Sequence, residues 1–135
     1  MRKLAGAIVV VAVLVGSAGT SGAAMQPTYV TKCNHTAIKP KAILFACADG
    51  GYYATRLHWG FWGTVHARGR GLFHENDCTP DCADGHFHTR RGHIRLSGRK
   101  WCSNVKRWVF RRYRVHYRRP LLGRSEDGGT FPCPF

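Results

Sequence analysis

Acidic residues are scarce in this chain, in which 7 Asp and Glu stand against 21 Lys and Arg among 135 residues. Between Asp84 and Glu126 the sequence has no acidic residue at all. The formal net charge of +14 indicates that an anionic partner has to be considered. A disordered chain is excluded, because 44% of the residues are hydrophobic and 12% are aromatic. The length allows one small domain.

Common catalytic motifs are also missing. The sequence contains no Gly-x-Ser-x-Gly nucleophile elbow, no His-Glu-x-x-His metal motif and no glycine-rich phosphate loop. These absences argue against the usual hydrolases, metalloproteases and nucleotide-binding enzymes. We therefore expect a protein that is not an enzyme and that uses no cofactor.

One long apolar run is present, and it lies at the N-terminus. The basic start of the chain precedes an uninterrupted apolar segment over 4–15, and small residues fill most of 16–24. This three-part layout predicts a secretory signal peptide over 1–24. The apolar segment is too short for a permanent transmembrane helix. We expect a secreted, extracellular protein whose mature chain has no transmembrane segment.

Sustained helical spacing of apolar residues is absent from the rest of the chain. Short alternating runs bounded by Gly, Asp or Asn occur instead, which is typical of strands and turns. The sequence predicts an all-β fold, either a small disulfide-stabilised antiparallel β-sandwich or an open barrel. We assign 25–41 to an N-terminal lead, 42–118 to the β domain and 119–135 to a C-terminal tail.

The alternating runs also predict a core. We expect four buried residues on their apolar sides: Tyr53, Leu57, Trp59 and Val115. The strand predicted over 64–74 has three small residues in one row, Gly69 among them. Such a row leaves room for a large neighbour, and Trp59 or Trp62 is the expected occupant.

The last long strand, predicted over 105–117 and leading into Arg118, carries basic residues at every second position: Arg112, Arg114, His116 and Arg118. Successive residues on one face of a strand lie about 6.5–7 Å apart, close to the charge repeat of extended polyanions. Trp108 falls in the same row, and aromatic rings among arginines are a common means of holding single strands or sugars.

Further basic residues are expected to widen this row: Arg90, Arg91, Arg95, Arg99, Lys100, Lys106 and Arg107. The row has two interpretations. It is either a site for an anionic partner, such as nucleic acid, wall polymer, acidic polysaccharide or lipid headgroups, or the solvated face of a basic exported protein. The candidate ligand-binding residues are Arg95, Trp108, Arg112, Arg114, His116 and Arg118.

The six cysteines all follow the predicted signal peptide: Cys33, Cys47, Cys78, Cys82, Cys102 and Cys133. An even number in an exported chain predicts a disulfide framework. Cys78, Cys82, His86 and His88 offer an alternative, a zinc site or the active site of a small secreted enzyme. Their spacing matches no common zinc motif, so we favour disulfides and expect no metal.

Several motifs recur together around the cysteines and tryptophans: Cys47-Ala48-Asp49-Gly50, Trp59-x-x-Trp62-Gly63, Ala67-x-Gly69-x-Gly71 and Asn76-Asp77-Cys78-x-Pro80-x-Cys82-Ala83-x-Gly85. As a set they resemble a family of small secreted actinobacterial proteins of unknown function. The resemblance covers about residues 33–118. It implies export and a compact domain, and it implies no activity, cofactor or catalytic residue.

This resemblance also guides the expected pairing of the cysteines. The family-like motifs supply Cys33–Cys47 and Cys78–Cys82, and the two cysteines that depart from the family, Cys102 and Cys133, are expected to pair with one another. An exchange that joins Cys47 to Cys78 or Cys82 stays open. The last strand also departs from the family, which is usually Thr-rich there, so the charge argument rests on this chain alone.

Overall fold

The computed structural model describes residues 24–134, and the predicted signal peptide lies outside the described residues except for Ala24. The predicted all-β fold is confirmed, because every regular element in 24–134 is a strand. No helix in this part of the chain is long and apolar enough to cross a membrane.

Eight strands form the domain: β1 Thr28–Lys32, β2 His35–Ala37, β3 Ile43–Leu44, β4 Tyr52–Trp62, β5 Ala67–Asn76, β6 Phe87–Cys102, β7 Arg107–Leu121 and β8 Arg124–Thr130. They build one sheet in the order β2-β1-β7-β6-β5-β4-β3, with β8 also paired to β7. The sheet curls into a half-barrel. Of the two predicted architectures, the open barrel is therefore the better description.

The sheet is not wholly antiparallel, which corrects one part of the prediction. β1 runs parallel to β7 and pairs with it from Thr28–Trp108 to Val30–Phe110. β8 then takes over the same edge of β7 in the antiparallel sense, beginning at Arg112. The same edge of β7 therefore pairs first with β1 and then with β8.

The predicted boundaries of the β domain are too narrow. β1 and β2 lie within the segment assigned as an N-terminal lead, and β8 lies within the assigned tail. All residues of β8 are exposed or half-buried, so it has no apolar side for a sequence pattern to show. It is held as an edge strand by the backbone of β7 rather than by burial.

The core fills the inner side of the curled sheet. Its largest fully buried side chains include Phe73, Ile94, Leu96 and Phe110. The Phe45 ring enters from the loop after β3 and lies 4.6 Å from the ring centroid of Tyr113. Burial of this apolar surface is the main stabilising contribution available to the domain.

The row of small residues on β5 accommodates Trp59, as the sequence predicts. Trp59 and Gly69 are cross-strand partners. A Cβ atom on Gly69 would lie only 2.8 Å from Cε3 of the Trp59 indole. Glycine is therefore required at this position by the close approach of a ring rather than by its backbone angles.

The expected core is right for Leu57 and Val115, which are buried, and wrong for Tyr53. Tyr53 points to the outer side, where its ring stacks 4.6 Å from His74. The cause is a β-bulge at Arg56, whose φ of 51° shifts the alternation of β4 by one residue. Trp59 packs against the core but is only half-buried.

Disulfides and indole groups close the open side of the half-barrel. Cys33 and Cys47 are bonded, which ties the β1–β2 edge of the sheet to the β3 edge. The Trp62 Nε1 group donates a hydrogen bond to the Thr28 carbonyl at 3.0 Å and joins β4 to β1. Cys78–Cys82 and Cys102–Cys133 are also bonded, so all three predicted disulfides are confirmed.

Candidate anion-binding face

The outer side of the sheet carries the predicted basic row of β7. Val115 and Tyr117 point into the core, so the residues between and beside them point outward. Arg112, Arg114, His116 and Arg118 are all exposed there. Alternation along one strand therefore sets the spacing of these four basic groups.

Neighbouring strands extend this row sideways. Arg114 on β7 is directly opposite Arg95 on β6, and Arg95 is directly opposite Arg68 on β5. Side chains of cross-strand partners start about 4.5–5.5 Å apart, and like charges in this relation are destabilising. Three strands thus place three arginines at one level of the sheet.

We define the cationic face by eight exposed arginines on β4 to β7: Arg56, Arg68, Arg70, Arg91, Arg95, Arg112, Arg114 and Arg118. Arg68 and Arg70 share the face because the residues that alternate with them, Ala67, Gly69 and Gly71, point inward. These arginines come from both halves of the sequence, and only the sheet brings them together.

The guanidinium groups of the cationic face are almost free of partners within residues 24–134. None of the eight lies within 4.0 Å of a carboxylate oxygen. Only Arg68 has a hydrogen-bond contact, with His66 at 3.4 Å. Their donors are therefore available to an external acceptor.

Other arginines are used inside the protein, which corrects part of the widened patch. The Arg99 guanidinium lies 3.9 Å from the Trp108 ring and contacts Thr28 Oγ1 at 3.0 Å. Arg107 lies over the Tyr29 ring. Arg90 donates to the Pro120 carbonyl at 3.0 Å. These three groups serve packing and do not join the cationic face.

Trp108 does not lie in the basic row, contrary to the prediction. Phe110, two residues before Arg112, is fully buried, so the alternation of β7 changes between these residues. The opposing β6 residue at this point is Gly98, which has a φ of 70°. Trp108 is half-buried and packs against Trp101, with 5.5 Å between the two ring centroids.

Within residues 24–134, two carboxylates border the cationic face, those of Glu126 and Asp127. The Glu126 carboxylate lies 3.0 Å from Nδ1 of His116. Asp127 and Glu75 are paired with Arg124. The pKa of His66 is lowered by desolvation and, secondly, by the positive charges of Arg68 and Arg95. The local electrostatic potential is therefore positive.

The cysteine–histidine loop is organised by hydrogen bonds rather than by metal ligation. Cys78 and Cys82 are bonded to each other and so present no thiolates. Asp77 Oδ1 accepts from the His86 backbone, and Asp77 Oδ2 lies 2.8 Å from His88 Nε2. These contacts, led by the His86 amide, lower the pKa of Asp77 to about 2. In the part described, no three His, Cys, Asp or Glu side chains are grouped to hold a metal ion.

The grooves that residues 24–134 form on the outer side of the sheet include two lined by arginines of the cationic face. The first has a volume of about 460 Å³ and is lined by Arg56, His58, Arg70, Gly71, Leu72, Arg91, Gly92, His93 and Arg118. The second, of about 890 Å³, also contains carboxylates, those of Glu126 and Asp127. The first groove is therefore the more strongly positive of the two.

Sequence reasoning missed the contributions of Arg56, Arg68 and Arg70. The signal for Arg68 and Arg70 was present, since a strand with Gly69 and Gly71 inward places both arginines outward. It was hidden because the acids of the Cys78 loop balance the charge of the first half of the chain. Arg56 was not predictable, because its direction depends on the bulge.

Comparison with family models, with curated proteins and with solved structures found no match to this chain.

Proposed function

We propose that this protein is exported and binds anionic polymers through the cationic face, without catalysing a reaction. The observation that carries the proposal is the row Arg68–Arg95–Arg114, in which three like charges face one another and no carboxylate of residues 24–134 lies within 4.0 Å. Repulsion among these charges lowers the stability of the folded protein, and a bound polyanion would relieve that repulsion.

The dimensions of the cationic face favour a polymer over a single small ion. Four strands at roughly 4.8 Å spacing span about 14 Å, and the six steps along β7 from Arg112 to Arg118 span about 20 Å. A surface of that size contacts several charged repeats of an extended chain. Arginine suits this role because its planar fork donates two hydrogen bonds to one phosphate or sulfate group.

Export is supported by two features. The first 24 residues have the layout of a signal peptide, and their expected removal leaves all six cysteines in the mature chain. Three disulfides form and persist in oxidising compartments. The resemblance to small secreted actinobacterial proteins agrees with this setting. The polymers to consider are therefore extracellular or cell-surface polyanions.

A direct test compares matched polymers. Dextran sulfate and uncharged dextran of equal length would be titrated into the protein by isothermal calorimetry at low ionic strength. We expect saturable binding of dextran sulfate and none of dextran. Binding of both polymers would indicate recognition of sugar rather than charge, and binding of neither would leave the cationic face as a solvated surface.

A further inference from the structure

The first groove on the cationic face combines arginine with histidine in its lining. Four arginines and two histidines line its walls: Arg56, Arg70, Arg91, Arg118, His58 and His93. No carboxylate of residues 24–134 takes part in the lining. A volume of about 460 Å³ falls within the range of small-molecule sites.

The register of the sheet explains how these groups converge. Arg70 on β5 is directly opposite His58 on β4 and His93 on β6. Arg91 is opposite Leu72, one outward level further along the same strands. Adjacent levels are about 6.5–7 Å apart and adjacent strands about 4.8 Å, so these long side chains can reach a common ligand.

Charge and geometry select the class of ligand. A phosphate or sulfate group has more acceptor oxygens than a carboxylate and matches several guanidinium forks at once. The groove is larger than one such ion, which leaves space for the sugar unit that carries it. Each histidine adds an N–H donor.

We infer that this groove is a subsite for a phosphate- or sulfate-bearing sugar unit of the polymer. The inference rests on the proposed function, since it places one unit of the polyanion in a defined position. The rest of the cationic face then contacts the neighbouring charges of the chain.

Nuclear magnetic resonance tests the inference with small probes. Inorganic sulfate, inorganic phosphate and glucose 6-phosphate would be titrated into ¹⁵N-labelled protein with its disulfides formed. We expect saturable shifts of the Gly71 and Gly92 amides, which lie in the groove. A preference for phosphate or sulfate at pH 7 distinguishes the two sources of the ligand.

A double variant and a matched control locate the site. Arg70→Gln with Arg91→Gln should weaken sulfate binding about tenfold or more, because charged hydrogen bonds are lost. Arg112→Gln with Arg114→Gln removes the same charge from the same face but outside the groove. This control should leave the affinity for sulfate within about twofold of the parent's. Melting temperatures would confirm that both variants fold.

The outcomes separate this inference from the proposed function. Equal weakening in both double variants, or shifts spread over the whole face, would overturn the subsite and leave general polyanion binding intact. Binding of dextran sulfate without binding of any small probe would do the same. If the parent binds neither small probes nor dextran sulfate, both proposals fail.

Discussion

Arg95 on β6 lies directly opposite Arg114 on β7, and no carboxylate lies within 4.0 Å of either guanidinium in residues 24–134. Cross-strand partners are ordinarily a source of stability in a sheet, whereas like charges in this position are destabilising. The pair therefore lowers the stability of the free protein, and under the proposed function a bound anion would offset that cost.

The first prediction concerns this conflict between stability and binding. Arg95→Thr should stabilise the free protein by about 0.5 kcal/mol at low ionic strength, because it removes two like-charge contacts. In 1 M salt the gain should vanish, since the screening length falls to about 3 Å. Urea unfolding at both salt concentrations measures the difference.

Lys100→Thr is the matched control for this prediction. Lys100 is exposed on the same strand but opposite Val109, so its removal relieves no arginine contact. An equal gain in stability from Lys100→Thr would mean that net charge, rather than the Arg95–Arg114 relation, limits the stability of the domain.

The second prediction concerns the fit of Trp59 over β5. Gly69→Ala places a methyl group 2.8 Å from the indole and should destabilise the protein by about 1–3 kcal/mol through overpacking. Gly60→Ala is the control, because a Cβ at Gly60 meets nothing within 4 Å. Thermal unfolding of the two variants checks the result, and equal melting temperatures would contradict the packing described.

The third prediction concerns the covalent closure of the half-barrel. Replacing Cys33 and Cys47 by serine removes a disulfide between residues 14 positions apart in the sequence. The free energy of unfolding should fall by about 3 kcal/mol, because the unfolded chain is no longer constrained by that loop. The same change at Cys78 and Cys82, only 4 positions apart, should cost less. Denaturant unfolding ranks the two variants, and the reverse order would contradict the account.

The fourth prediction concerns the loss of stability at acidic pH. The pKa of Asp77 is lowered to about 2 in the folded protein, so its hydrogen bonds stabilise the fold above the pKa of an unfolded aspartate. That contribution should disappear as the pH falls from about 4 towards 2. Asp77→Asn should flatten the decline in stability over this range. Asp84→Asn removes a charge from the same loop and should leave the decline unchanged.

Parts of the fold and of the face were predictable because each depends on local alternation. The outward direction of Arg112, Arg114 and Arg118 follows from period-two spacing around buried Val115 and Tyr117. The room for Trp59 follows from a row of small residues. The disulfides were anticipated with help from the family resemblance.

Other parts depend on relations that no local pattern contains. The bulge at Arg56 reverses the faces of β4, and the change at Gly98 separates Trp108 from the basic row. The edge strand β8 is polar on both sides, so only its pairing with β7 reveals it. The row Arg68–Arg95–Arg114 is set by register among three strands, which the sequence does not state.

The central claim, that the cationic face binds polyanions at defined positions, is tested most directly by the salt dependence of affinity. Each phosphate-type contact adds about 0.7–0.9 to the slope of log K against log salt concentration. Replacing Arg112, Arg114 and Arg118 by serine should therefore lower the slope by about 2–3 for a single-stranded polyanion. Replacing Lys32, Lys39 and Lys41, which lie outside the face, should leave the slope unchanged. A slope lowered equally in the two triple variants would contradict the claim and show that bulk charge governs the interaction, and a parental slope in both would contradict it as well.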